Sequence, residues 1–181
     1  RPPLCHGSSN PRLKRLDEPS PSEHRDAILS GVPFLSSPAE VVKRMLKLAR
    51  VGPGDVVCDL GCGDGRILIA AVEVFKAREA IGYEIRDDAY KRALKELAKA
   101  NLQERITIVN KDFFEADLSI PSVITLYIDS LTNEKLKRKL EKETGPGTRI
   151  VSHDFPMPGW QPVIEDTLPD RSHTIYLYVV P

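Results

Sequence analysis

Cysteine is scarce in this 181-residue chain, with three residues only: Cys5, Cys58 and Cys62. An odd, sparse count excludes a disulfide framework and points to a reducing compartment. Cys58 and Cys62 stand close enough to suggest half of a metal site. No second pair completes a tetrahedral ligand set, so both read as small packing residues and no metal is expected. An excess of charge of either sign is also missing. Lys and Arg number 26, Asp and Glu number 26, and the sequence pI is about 7.1. Without a basic stripe, no stable nucleic-acid partner is expected. No apolar run approaches the roughly 18 residues of a membrane span. Residues 1–30 lack the apolar centre of a secretion signal. These absences give the expectation of a cytoplasmic chain with no membrane partner. Internal repeats are absent too.

What is present is a long alternation of strand-like and helix-like segments. Residues 1–30 are rich in Pro, Ser and charge and read as a disordered or loosely draped arm. Residues 31–181 read as one domain, long enough for a real core. Ser37-Pro38-Ala39-Glu40 predicts a helix start with Ser37 as cap and Glu40 completing a capping box. Val41, Val42, Met45, Leu46, Leu48 and Ala49 would form its buried stripe, and Gly52-Pro53-Gly54 would stop it. Strands are expected at 56–60, 80–85, 105–110, 123–128 and 148–154, with helices near 66–77, 87–100 and 133–143. In the 87–100 helix, Tyr90, Leu94 and Leu97 fall on one face. Two last strands, near 161–166 and 173–180, lie close enough for a hairpin. The pattern predicts an α/β fold: a Rossmann-like, mostly parallel seven-stranded sheet with helices on both faces and an antiparallel terminal hairpin.

The most telling stretch is Asp59-Leu60-Gly61-Cys62-Gly63-Asp64-Gly65, between an apolar strand and an apolar helical run. A strand, a glycine-rich turn and a helix N-terminus make a cradle in which backbone N–H groups meet a ligand closely. Glu84 closes the next apolar run, where an acid is placed to accept from ribose hydroxyls. A dinucleotide fingerprint needs a third glycine at position 66, which is Arg. Asp59 inside the cradle suits a ligand bearing positive charge better than a pyrophosphate. S-adenosyl-L-methionine, with its ammonium and sulfonium, fits. The pattern resembles the class I, seven-strand methyltransferases. Gly61, Glu84, Asp112 and Asp129 all fall at expected strand ends, where such sheets bind ligands.

Further segments narrow the resemblance. Val32-Pro33-Phe34, Ser37-Pro38, Asp112-Phe113-Phe114, Asn133-Glu134-Lys135-Leu136, Val151-Ser152-His153-Asp154-Phe155 and the ending His173 to Tyr178 occur in one order. Together with the glycine loop they look like the archaeal broad-specificity protein lysine methyltransferases. The similarity runs from about Gly31 to Val180. Mitochondrial enzymes that methylate lysines of ATP synthase and of the adenine nucleotide carrier are similar but more distant. Ile128-Asp129-Ser130-Leu131-Thr132 departs from that family's pattern at the end of the fourth strand, where the acceptor enters. The resemblance implies an S-adenosylmethionine-dependent protein N-lysine methyltransferase, acting as a monomer on proteins with accessible lysines, itself included. The alternatives are a small-molecule or RNA methyltransferase on the same fold, and a non-catalytic cofactor-binding subunit.

The roles it implies are specific. Asp59 and the loop Gly61, Cys62, Gly63 and Gly65 face the methionine moiety. Glu84 takes the ribose hydroxyls. Asp112 accepts from the adenine amino group, with Phe113 beside the ring. The segment around Phe34 and Ser37 closes over the cofactor. On the acceptor side, Tyr127 lines a lysine channel, while Asp129 attracts the ammonium and later accepts its proton. Each has a plainer reading: Asp112 as a turn residue, Ser37 as a helix cap, Tyr127 as a core aromatic, Asp129 as the cap of the next helix. Asn133 reads as a capping residue. His153 and Asp154 read equally as catalytic partners and as a strand-end pair at a sheet edge, and carry no assignment. Trp160 is a candidate wall of the substrate groove.

Overall fold

The computed structural model describes residues 36–181, within the compact unit Pro33–Pro181. The arm 1–30, Cys5 and Phe34 lie outside the described residues. The described chain runs α1 (Ala39–Leu48), β1 (Val56–Leu60), α2 (Arg66–Glu73), β2 (Glu79–Tyr83), α3 (Asp87–Ala100) and β3 (Ile106–Val109). A 3-10 turn (Phe113–Glu115) follows, then β4 (Val123–Leu126), α4 (Ser130–Glu143), β5 (Arg149–His153), β6 (Ile164–Thr167) and β7 (Thr174–Val179).

The seven strands form one sheet in the order β3-β2-β1-β4-β5-β7-β6. β1 pairs in parallel with both β2 and β4, so the strand order reverses at β1. That reversal is the place where open α/β sheets bind ligands, outside the carboxyl ends of the strands. β7 runs antiparallel between β5 and β6, and β6–β7 is the expected terminal hairpin. All five residues of β1 are buried, as a central strand covered on both faces requires.

One core layer contains Val41, Met45 and Leu46 of α1, Leu68 and Ala71 of α2, and Ala93 and Leu97 of α3. The other contains Leu136 and Leu140 of α4 with Ala116 and Leu118. Alternation along the strands decides which layer a residue joins: Val57 enters the first, Cys58 the second. Cys62 packs in the first layer, so the two cysteines belong to opposite layers. Burial pushes both thiols up, which keeps them protonated.

Three local expectations change. The buried face of α3 is Ala89, Ala93 and Leu97, while Leu94 is exposed. Small residues face inward there because the glycine loop presses close: a Cβ on Gly65 would meet Ala93 Cβ and Ile108 Cδ1 at 3.6 Å. α1 is preceded by Pro38, with no side-chain cap, so the capping box does not form. α4 starts at Ser130, three residues before the expected start, because Asp129 caps it.

Candidate active site

The loop after β1 is built for close approach. Gly61, Gly63 and Gly65 have φ of 83°, 56° and 80°, a region that side chains with a Cβ rarely enter. A Cβ on Gly61 would meet no atom of the described residues within 4 Å, so among them the glycine fronts open space. The loop is held from behind. The Gly61 and Cys62 N–H groups both donate to the Tyr83 carbonyl at 2.9 Å. A Cβ on Gly82 would lie 2.6 Å from Cys62 Sγ, so Cys62 acts as the packing contact between loop and β2.

Glu84 closes the cradle. Its Oε2 accepts from Gly63 N–H at 2.9 Å and its Oε1 from Arg86 N–H at 2.8 Å. A carboxylate offers about four lone-pair sites, so two remain for hydroxyl donors. Asn110 Nδ2 donates to the Glu84 carbonyl at 2.9 Å and ties the end of β3 to this corner, a contact the sequence reading missed. Beyond β3, Asp112 accepts through Oδ1 from Phe114 N–H at 2.9 Å and caps the 3-10 turn. Phe113 packs 4.9 Å from Phe114, centroid to centroid, both half-buried at the edge of the second core layer.

Asp59 lies beneath the cradle. It pairs in register with Thr125 of β4, and Thr125 Oγ1 donates to its carboxylate at 2.7 Å. Burial pushes the Asp59 pKa up to about 7; the Thr125 hydrogen bond opposes this, and the charges of Glu84 and Asp64 add to it. An acid so poised becomes a full anion when a cation comes near. The open front at Gly61 and the buried acid behind it therefore fit the cationic methionine end of S-adenosylmethionine.

Two residues past Thr125, on the same side of β4, stands Tyr127. Its ring stacks on His153 at 3.9 Å between centroids and lies 6.1 Å from Phe155. Leu126 pairs with Ser152, so the next residues along these parallel strands, Tyr127 and His153, become neighbours. Asp129 points its carboxylate at α4: Oδ1 accepts from Leu131 and Thr132 N–H at 3.0 Å each, Oδ2 from Thr132 Oγ1 at 2.6 Å. Burial pushes its pKa up, but these hydrogen bonds outweigh it and the net shift is downward. Asn133 is no cap. It is fully buried, and its Nδ2 donates to the Ile128 and Phe155 carbonyls at 3.2 Å each. Trp160 sits against Tyr178 and donates to Glu141, away from this wall.

The structure draws in His153, which the sequence left unassigned, and joins Ser37 to it. Ser37 Oγ lies 2.9 Å from His153 Nδ1, so its side chain meets an imidazole instead of capping α1. The Ser37 carbonyl accepts from Arg66 Nη1 at 3.0 Å, which links the segment before α1 to the start of α2. His153 is fully buried, and its pKa falls to about 4, chiefly through burial, with Asp154 opposing and His173 adding. Adjacent parallel positions on β4 and β5 were the available signal, once the register was known.

A family model described as the ANTKMT methyltransferase domain matches residues 59–164, the span from the buried acid of the cradle to β6. The chain belongs to this family. It is a class I, S-adenosylmethionine-dependent methyltransferase. A protein-lysine N-methyltransferase of Saccharolobus islandicus (strain REY15A) is 46% identical over 82% of this methyltransferase and 94% of its own length. The adenine nucleotide translocase lysine N-methyltransferase of Mus musculus is 33% identical over 79% of this chain and 62% of its own. Among solved structures, an RNA methyltransferase from Salinibacter ruber in complex with S-adenosyl-L-homocysteine is 40% identical, with a TM-score of 0.78 over 81% of this chain and 94% of that one. Among the described residues, no helix is long and apolar enough to cross a membrane.

Proposed function

We propose that this methyltransferase places methyl groups on lysine side chains of proteins. The observation that carries the reading is the meeting, on one side of the sheet, of the acid-backed glycine cradle and the aromatic wall of Tyr127, His153 and Phe155. The lysine methyltransferases among the relatives support it. When bound, S-adenosylmethionine supplies an activated methyl group on a sulfonium. The Gly61–Gly65 backbone, Cys62 included, and Asp59 would receive its cationic end, Glu84 the ribose hydroxyls, and Asp112 with Phe113 the adenine. Ser37, tied down by Arg66, and Phe34, retained from the family resemblance, would close the site.

The remaining task is to make an ammonium nucleophilic. A free lysine has a pKa of about 10.4, so neutralising it at pH 7 demands about 4.6 kcal/mol, at 1.36 per pKa unit. Tyr127 and its aromatic neighbours attract the cation across their faces. As water is stripped from it, the charged form loses its advantage and the proton leaves. Asp129, held below the ordinary carboxylate range, is a weak proton acceptor. Its part is to draw the ammonium toward the end of β4, and the proton passes to water. Balanced charge argues against RNA as acceptor.

Incubation with methyl-labelled cofactor, mixed cell protein and total RNA tests the proposal. Label in protein, recovered as methyl-lysine after hydrolysis, is the expected result. Label confined to RNA would overturn it in favour of the activity named for the Salinibacter ruber protein. Mass spectrometry of the enzyme incubated with cofactor alone is expected to show methylation of its own lysines.

A further inference from the structure

At the end of β5, three side chains bring ligand atoms unusually close. His153 Nε2 lies 2.9 Å from His173 Nδ1, and His173 Nδ1 lies 2.9 Å from Asp154 Oδ2. His153 Nε2 lies 3.2 Å from that same oxygen. While Asp154 is a carboxylate, protons can bridge at most two of the three edges at a time. If His173 Nδ1 carries the proton and His153 Nε2 does not, two lone-pair atoms face each other across the 3.2 Å edge. Moving the proton to His153 Nε2 transfers the conflict to the His173–Asp154 edge. With both nitrogens protonated, each donates to Asp154 Oδ2 and the 2.9 Å edge between the two nitrogens carries no bond. A cation that accepts a lone pair from each of the three atoms engages all of them together.

The dimensions agree. Ligands about 2.1 Å from a metal are separated by about 3.0 Å on an octahedral face and about 3.4 Å on a tetrahedral one. The surrounding bonds hold two of the three ligands in place. Ser37 Oγ takes the other nitrogen of His153, and Thr174 N–H donates to Asp154 Oδ1 at 2.9 Å. Such outer partners orient metal ligands. Asp154 also has φ of 60°, a strained setting for a residue other than glycine, which aims its carboxylate back at the two imidazoles. His153 is closed to solvent, while the side chains of His173 and Asp154 are about a quarter exposed and leave a path of entry. Among the described residues, no other group of His, Cys, Asp and Glu clusters this way.

We infer that His153, Asp154 and His173 bind a divalent first-row transition cation, one per chain, through two imidazole nitrogens and one carboxylate oxygen. The cation fixes the His153 ring and, through it, the Tyr127 face of the acceptor wall. It bridges the end of β5 to the start of β7 and takes no part in methyl transfer itself.

The full-length protein, stripped with chelator, is titrated with Co²⁺ and separately with Zn²⁺. Visible d–d absorption saturating at one Co²⁺ per chain is expected, together with a higher melting temperature in Zn²⁺. His173→Gln and Asp154→Asn are the test variants; asparagine tolerates the positive φ, and circular dichroism checks that both fold. A drop of at least tenfold in Co²⁺ affinity in both supports the site. No saturable absorption in the wild type, or a smaller drop in either variant, overturns it.

Discussion

Asp59 and Glu84 both bear on the glycine loop after β1 yet do different work. Glu84 holds the loop by accepting from Gly63 and Arg86, and offers what is left of its carboxylate outward. Glu84→Ala should therefore weaken S-adenosylhomocysteine binding by about 1.5–3 kcal/mol, roughly 10- to 100-fold in Kd. Calorimetry measures this directly, and an unchanged Kd would remove Glu84 from the cofactor site. Asp59 governs a pH dependence. Its ordinary pKa of 3.8 is raised to about 7 in the folded chain. Both states hold the proton at low pH. As pH rises from about 4 to 7 the unfolded chain ionises first, so this group's contribution to stability is progressively lost. Asp59→Asn keeps an acceptor for Thr125 and removes that loss. Without cofactor, its melting temperature relative to wild type should climb between pH 5 and pH 8. Parallel curves would show that the acid is not held neutral by the fold. Both acids were legible in the sequence because each stands at a fixed distance from the glycines. His153 was not, since its partners Ser37 and His173 lie 116 and 20 residues away and only strand pairing brings them together.

Among the elements, α4 borders the proposed acceptor side. Asp129 starts it and Asn133, one turn in, ties it to the ends of β4 and β5. Sequence reasoning found the helix but began it at Asn133, because a run of Ser-Leu-Thr has no apolar period to declare itself helical. The same blindness hid the alanine face of α3, where small residues mark close approach to the glycine loop and large ones mark nothing. Asn133→Ala leaves the buried Ile128 carbonyl without its side-chain donor, at a cost of about 1–3 kcal/mol. The Phe155 carbonyl keeps Ser152, so the damage concentrates at the end of β4, beside Tyr127. The expected outcome is a lower melting temperature and a fall in kcat larger than the fall in affinity for S-adenosylhomocysteine. Equal falls in both would place Asn133 in general support of the fold, outside the acceptor side.

For the whole molecule, the sheet separates support from chemistry. At the amino ends of β1, β4 and β5, Asp55 accepts from Gly52 N–H and Ser122 and pairs with Arg149, which also donates to the Ala49 carbonyl at the end of α1. At the carboxyl ends lie the cradle, Glu84, Tyr127 and His153. The alternating pattern made this architecture readable in advance, since a strand–turn–helix with acids at successive strand ends has few other solutions. On the proposed assignment, cofactor binding engages groups at the ends of β1, β2 and β3 at once, so it should stabilise the folded chain as a unit. Ligand that binds only the folded state at 100 times its Kd adds about 2.7 kcal/mol. For a chain of this size, each kcal/mol raises the melting temperature by about 2–4 °C, so S-adenosylhomocysteine should raise it by roughly 5–10 °C. Adenosine alone lacks the ammonium proposed to face Asp59 and should give a smaller rise at equal concentration. Equal shifts from the two compounds would mean that the acid under the loop contributes nothing to recognition. No shift from either would remove the cradle as a cofactor site.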